Sequence, residues 1–173
     1  MTIAMALGLA LSPALALQSV TLHGGPEFGE NGLATAYDNG VCRVTVKGKD
    51  ADGERILAEF SRRLRDGNLS VSLEGPFMQT FRGADTNVNH PVTVVFDTGR
   101  SSPSRSGGYD LGGFSEYVWG GWGPGAASDE TYAALRGIGS FSVEMDGNTY
   151  GPFTWTGSGA LWTALDDCEA DNS

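Results

Sequence analysis

Short runs in which apolar and polar residues alternate recur along the chain and predict β-strands. The clearest runs are residues 41–47, 69–73 and 91–97, which are rich in β-branched and aliphatic side chains. Residues 114–119 predict a further strand that leads into a run of tryptophans and glycines at 119–124. Strands this short and this closely spaced are typical of a mainly β protein.

The stretch 54–65 fits both a strand and a helix. Ile56, Ala58 and Phe60 alternate as they would in a strand, whereas the leucines of this stretch share a helical face with Phe60. We predict a strand, because the DADG sequence at 50–53 is typical of the turn that joins two strands of a hairpin.

The last third of the chain predicts a short helix and then a hairpin. The helix begins with Ser128 as its N-cap, followed by acidic residues, and ends at Gly137. Residues 140–145 and 150–156 alternate on either side of an Asp-Gly-Asn sequence, which favours a hairpin turn.

These elements together predict a mainly β fold, either an antiparallel sandwich or a curved sheet, with two short helices. An α+β fold is the alternative. The chain has 26 glycines, several of them in Asn-Gly or Asp-Gly pairs, which suits the many turns of such a fold. The Ser- and Gly-rich stretch 98–108 is predicted to be a flexible loop.

The N-terminal run is apolar, contains no charged residue and closes on a small-x-small cleavage pattern at 14–16. This pattern is typical of a signal peptide. We therefore predict a signal peptide over 1–16 and a single exported domain over 17–173. A membrane anchor is the alternative, but Pro13 and the polar Gln18 end the run before the roughly 18 residues that a membrane span requires.

The two cysteines, Cys42 and Cys168, lie near the two ends of the exported part. Export predicts a disulfide between them. A second helix, predicted over 158–168, places Leu161, Leu165 and Cys168 on one face, so that it would dock on the sheet and bring the cysteines together. The polar tail after this helix is predicted to fray.

The chain is strongly acidic, with a formal net charge of −10. Nucleic acids and anionic membranes bind basic surfaces, so this charge argues against both as partners. Basic residues cluster at 55–65, where we expect them to pair with neighbouring carboxylates. No second apolar segment follows the N-terminal run, and the exported part is predicted not to be an integral membrane protein.

The sequence gives neither histidine a position that predicts a catalytic role. His23 lies near the predicted mature N-terminus. His90 and Asp97 stand at opposite ends of one predicted strand, about 23 Å apart, which is too far for a catalytic dyad. The chain also has no Gly-x-Ser-x-Gly sequence.

A partial calcium-loop pattern runs from Gly48 to Glu59 and includes Asp50, Asp52 and Gly53. Gly48 stands where the first ligating carboxylate is required, so the hairpin turn is the preferred interpretation. A zinc site would need cysteines and histidines at short spacing, which the sequence does not have. We predict no metal and no cofactor.

An acid-pair glycoside hydrolase or another secreted hydrolase is the alternative function. The glycoside hydrolase needs two carboxylates a few ångströms apart across a cleft. Glu116, Asp129, Glu144 and Asp146 are its candidates. Because the chain has 21 acidic residues, such candidates are expected by chance alone.

The aromatic residues between 117 and 122 are the strongest candidates for a binding surface. Tyr117 and Trp119 would share one face of a strand, in a core or on a surface that contacts a sugar ring or a protein. Trp122 is flanked by glycines, so we expect it to lie in a turn and to be more exposed than Trp119.

The order of elements from Leu69 to Cys168 runs LSVSL, PVTVVFD, ETYAALRGIGSF, a hairpin and ALWTALDDC. This order resembles the second half of the invasion-associated locus B proteins and similar uncharacterised periplasmic domains of Gram-negative bacteria. The resemblance implies a β-rich, non-enzymatic periplasmic domain and no catalytic residue. We therefore predict a non-catalytic binding or assembly-accessory domain of the periplasm or cell surface. Its partner would be a protein or a glycan that contacts Tyr117, Trp119 and Trp122.

Overall fold

The structure is a computed structural model that describes residues 20–23, 33–49, 53–112, 116–156 and 158–173. The predicted signal peptide lies outside the described residues, and so do most residues of the predicted DADG turn. Among the described residues, no helix has the length and apolar composition that crossing a membrane requires.

Strands dominate the described part of the chain. They are β1 (Val20–His23), β2 (Leu33–Asp38), β3 (Val41–Lys49), β4 (Arg55–Arg63), β5 (Asn68–Glu74), β6 (Thr93–Phe96), β7 (Ser101–Pro103), β8 (Ser106–Asp110), β9 (Tyr117–Gly123), β10 (Ser140–Met145) and β11 (Asn148–Thr156). A 3₁₀ helix spans Pro76–Phe81, and the α-helices are α1 (Ala126–Arg136) and α2 (Ser158–Asn172).

The strands form one hydrogen-bonded sheet that folds back on itself. Its order is β7-β6-β10-β11-β1-β3-β4-β5-β9-β8, with β2 paired to β3 as well. Neighbouring strands are antiparallel except β1 and β11, which are parallel. The two halves of the sheet pack face to face, since the ring of Phe60 in β4 lies 6.3 Å from that of Phe141 in β10. The predicted mainly β fold class is confirmed.

The two ends of the sheet also approach each other. The His90 amide donates to the Gly107 carbonyl at 2.9 Å, and the Ser104 amide donates to the Val92 carbonyl at 2.7 Å. Gly107 permits this approach, because a Cβ there would clash with the carbonyl oxygen of His90. The prediction of a flexible loop at 98–108 is therefore wrong, since this stretch contains β7 and the start of β8.

The predicted hairpins are present. β3 and β4 are paired along their whole length, which confirms the strand interpretation of 54–65 and the hairpin interpretation of the partial calcium loop. Between β10 and β11, Asp146 and Gly147 have φ angles of 49° and 77°. Two successive positive φ angles are what a tight two-residue hairpin turn requires.

Helix α2 covers the core and is tied to β3 by a disulfide. Leu161 and Leu165 are fully buried, and Cys168 is bonded to Cys42 with 5.9 Å between their Cα atoms. The predicted disulfide is confirmed. The predicted fraying of the tail is wrong, because the helix continues to Asn172, whose side-chain amide donates to the Cys168 carbonyl at 2.8 Å.

Helix α1 begins earlier than predicted. It starts at Ala126 with Gly125 as its N-cap, so the assignment of Ser128 as the N-cap is wrong. The hydroxyl of Ser128 instead donates to the Gly67 carbonyl at 2.6 Å and accepts from the Leu69 amide at 2.9 Å. This buried serine therefore fixes the helix to the turn between β4 and β5.

Loss of the disulfide is expected to lower the free energy of unfolding by about 4 kcal/mol. The bond joins residues 126 positions apart, so its removal increases the conformational entropy of the unfolded chain. Urea unfolding of the oxidised protein, the reduced protein and the Cys42→Ala/Cys168→Ala variant measures the effect. Equal unfolding midpoints for the three would contradict it.

Candidate binding groove

Strand β9 presents different aromatic side chains to its two faces. Val118 and Trp122 point into the core, whereas Tyr117 and Trp119 alternate with them on the outer face. Trp122 is 3% exposed, and its indole N–H donates to the Ser102 hydroxyl at 2.9 Å. The expectation that Trp122 is the more exposed tryptophan is wrong, because the glycine-flanked run continues the strand instead of turning.

Tyr117 and Trp119 line a groove on the outer face of β3, β4, β5 and β9, which we call the outer-face groove. Its volume is about 570 Å³. The rest of its lining consists of side chains that point away from the core at alternate strand positions. These are the hydroxyl-bearing Thr45, Ser61, Ser70 and Ser72, the charged Arg43, Glu59 and Glu74, and the apolar Leu57.

The pairing of the strands brings the central side chains of the outer-face groove together. Thr45 of β3 lies opposite Glu59 of β4, and Glu59 lies opposite Ser72 of β5. Ser72 in turn lies opposite Trp119 of β9. These residues form a row that runs across the strands, with roughly 4.8 Å between neighbours. The row is set by long-range pairing and has no local signal in the sequence.

Glu59 is the central ionisable residue of this row. Its partial burial raises the pKa of its carboxyl group, against the opposing influence of the nearby Arg43 and of a hydrogen bond from Thr45. The Arg43 Nε lies 3.7 Å from Glu59 Oε1, and Arg55 Nη2 donates to Glu74 Oε1 at 3.1 Å. Each carboxylate of the groove thus has a guanidinium partner, and the partner of Glu74 belongs to the basic cluster at 55–65.

The Trp119 indole lies close to two glycines of the neighbouring backbone. Gly108 of β8 is directly opposite Trp119, and a Cβ at Gly108 would lie 3.5 Å from the indole Nε1. A Cβ at Gly121 would lie 3.8 Å from Cζ3, on the other side of the ring system. The indole therefore lies across both glycines, and Trp119 remains partly exposed at the groove.

Tyr117 is held in place at one end of the groove. Burial, together with the charge of Asp110 and a hydrogen bond to it, raises the pKa of the Tyr117 hydroxyl. The hydroxyl therefore stays protonated at neutral pH and remains a hydrogen-bonding group.

A second polar cluster joins His90 to the turn between β10 and β11. The His90 Nδ1 lies 2.9 Å from Asp146 Oδ2, and the Tyr109 hydroxyl donates to the same oxygen at 2.6 Å. The His90 Nε2 donates to the Asp85 carbonyl at 3.1 Å, and the imidazole stacks on the Tyr109 ring. Both ring nitrogens are thus engaged. From the sequence, only Asp97 was considered as a partner of His90. The contact with Asp146 was missed, because the hairpin of β10 and β11 brings Asp146 close to His90 only in the folded chain.

The four carboxylates considered for glycoside hydrolysis are not brought together as a pair at the outer-face groove. Asp129 pairs with an arginine of β4 at 3.2 Å, and Asp146 belongs to the histidine cluster. Glu144 is exposed on β10, and Glu116 directly precedes β9. The carboxylates that line the outer-face groove are those of Glu59 and Glu74. The sequence did not predict that these two residues form a pair.

Within the described ranges, no group of three or more His, Cys, Asp or Glu side chains could hold a metal ion. No protein-family model matches the chain, and no curated protein or solved structure matches it either. The geometry of the outer-face groove is therefore the basis for assigning a function.

Protonation of His90 is expected to stabilise the fold. The hydrogen bond to Asp146 raises the pKa of His90 above its ordinary 6.5, and the contact with the Asp85 carbonyl adds to this. Bonds from Tyr109 and His90 lower the pKa of Asp146 below its ordinary 3.8. The ion pair therefore contributes its full stabilisation between pH 3.8 and pH 6.5, the ordinary pKa values of Asp146 and His90. It is lost as the pH rises through the raised pKa of His90 or falls through the lowered pKa of Asp146.

The His90→Phe variant removes the ionisable ring and keeps a ring that can stack on Tyr109. The difference in Tm between wild type and variant should be largest near about pH 5.5 and should shrink as the pH rises above the ordinary His pKa. Asp146→Asn should show the same pH dependence, since Asn tolerates the positive φ at this position. A Tm difference that is independent of pH would contradict this account.

Proposed function

We propose that the protein is an exported, non-catalytic binding domain whose outer-face groove recognises a glycan. The observation that carries the proposal is the placement of the partly exposed Trp119 indole beside a floor of hydroxyl and carboxylate side chains. A sugar ring combines an apolar face of C–H groups with a rim of hydroxyls. An aromatic face and closely spaced hydrogen-bonding groups match these two features.

The hydrogen-bonding groups of the groove suit a ligand rich in hydroxyls. Thr45 and Ser72 each donate and accept, and Glu59 in its ionised form accepts only. The row from Thr45 to Trp119 therefore offers both kinds of partner next to one stacking surface. Sugar hydroxyls also donate and accept, so this row supplies hydrogen-bond partners for both functions of a sugar hydroxyl.

The charge pattern of the groove favours a neutral ligand. Glu59 is close to Arg43, and Glu74 is bonded to Arg55 beside the groove, so each acidic side chain of the lining has a basic partner. A polyanion such as a nucleic acid would need a basic surface. A protein partner would typically bury a central cluster of apolar side chains, whereas most residues that line this groove are polar or charged.

Export is part of the proposal and has separate support. The disulfide between Cys42 and Cys168 is of the kind that persists in oxidising compartments. The uncharged apolar N-terminal run and the resemblance to periplasmic domains agree with it. A binding domain in the periplasm or at the cell surface would meet the glycans of the envelope.

An acid-pair glycoside hydrolase remains the second candidate, now with different residues. Glu59 and Glu74 share the groove on neighbouring strands, and burial raises the pKa of Glu59 as a general acid requires. Each of these carboxylates already has an arginine partner, Arg43 for Glu59 and Arg55 for Glu74, and this engagement favours binding over acid catalysis. Reducing ends released from a bound glycan, and lost in Glu59→Gln, would favour the hydrolase instead.

The Trp119→Ala variant is expected to bind its glycan at least tenfold more weakly than wild type, a loss of about 1.4 kcal/mol. The loss follows from removal of the stacking surface. Screening on an array of neutral oligosaccharides identifies a ligand, and isothermal titration calorimetry measures the affinities. The circular dichroism spectrum of the variant should match that of wild type, because Trp119 lies outside the core.

Tyr37→Ala is the matched control. Tyr37 is an aromatic residue of β2 that is 48% exposed and does not line the groove. Its removal should leave glycan affinity unchanged. Equal affinities of wild type and Trp119→Ala would contradict the proposal, as would binding of proteins but of no glycan on the array.

A further inference from the structure

We infer that the site takes an internal segment of a linear glycan, which crosses Trp119 and continues into a second depression at the β8 edge of the sheet. This inference rests on the proposed function and specifies its ligand. The second depression, which we call the β8-edge depression, has a volume of about 690 Å³. Trp119 lines both the β8-edge depression and the outer-face groove. Among the described residues, no other side chain lines both.

The path across the strands is longer than one sugar ring. From β3 to β9 it crosses three strand spacings, and from β3 to β8 it crosses four, or roughly 19 Å. The central row of Thr45, Glu59, Ser72 and Trp119 runs in the same direction and continues to Gly108 of β8. A single sugar on Trp119 would leave most of this path empty.

The Trp119 indole lies close to the backbone of the sheet, so it does not form a wall between the outer-face groove and the β8-edge depression. The ring lies across Gly108 and Gly121, where a Cβ on either residue would be in van der Waals contact with it. The indole therefore lies along the sheet between the two depressions and forms a floor that both share. A ring stacked on it would have one neighbour over Ser72 and another over the β8 edge.

The lining of the β8-edge depression suits an uncharged chain. Ala84, Thr86, Leu111 and Gly112 contribute small or neutral side chains, and Asp110 is the one carboxylate among its lining residues. Asp110 is already engaged, because it bonds Tyr117 and accepts from the Gly112 amide at 3.1 Å. The depression thus offers space and a few polar contacts, as the continuation of a neutral glycan would need.

Chain-length dependence of binding tests the inference. The probes are β-1,4-linked N-acetylglucosamine and glucose oligomers of increasing length, from monomer to hexamer, together with the linear glycan that binds best on the array. For wild type, the hexamer of the recognised series should bind at least tenfold more tightly than the dimer. Affinities are measured by isothermal titration calorimetry.

Gly112→Trp places a large side chain at the β8-edge depression, on a residue that does not line the outer-face groove. A Cβ at Gly112 has no atom within 4 Å, so a side chain can leave the backbone there without a clash. This variant should bind the hexamer at least tenfold more weakly than wild type and the dimer within twofold of wild type. Thr86→Trp places a tryptophan at another lining position of the same depression and should have the same effect. Thr98→Trp, at an exposed turn, is the control and should bind like wild type.

The outcomes separate the inference from the function on which it rests. Glycan binding that is lost in Trp119→Ala but is equal for dimer and hexamer would overturn the inference and leave the proposed function standing. Undiminished hexamer binding by both Gly112→Trp and Thr86→Trp would overturn it as well. Failure of every probe and every array glycan to bind would overturn both.

Discussion

The packing of Phe60 between the two halves of the sheet and helix α2 is the contact on which the rest of the structure depends. Its ring lies 6.3 Å from Phe141 of β10 and 5.2 Å from Trp162 of α2. Because Phe60 points inward, the strand geometry turns Glu59 and Ser61 outward. A shift of one residue in the pairing of β4 would exchange the two faces and bury the groove carboxylate. The core therefore determines which side chains the groove presents.

The disulfide reinforces this arrangement from the buried side of the groove. Cys42 points inward from β3, next to the outward-pointing Arg43, and is bonded to Cys168 of α2. The groove is thus built on strands that are fixed by a covalent bond and by a well-packed core. A binding surface on paired strands holds its side chains in place more precisely than one on loops does, so less entropy is lost when a ligand binds.

Alternation within single strands could be read from the sequence, and pairing between strands could not. It placed Tyr117 and Trp119 on one face. The disulfide was predicted correctly from the predicted export and from the helical spacing that puts Cys168 on the same face as the buried leucines of the last helix. The sequence predicted that Trp122 lies in an exposed turn, whereas it is buried in β9. The cause is that glycines in closely packed strands cannot be told from glycines in a turn by sequence. The row that joins Glu59 to Trp119 was missed, since it depends on the long-range pairing of β5 with β9.

The most direct test of the central claim is a nitrogen–proton correlation NMR titration of the protein with its best-binding neutral oligosaccharide. The four tryptophans give separate indole N–H signals, and the Trp119→Phe variant assigns that of Trp119. The account predicts saturable shifts of the Trp119 indole signal and of backbone amides along β4, β5 and β9, with the buried Trp122 indole signal unchanged. Saturable binding that leaves the Trp119 signal unmoved would contradict it.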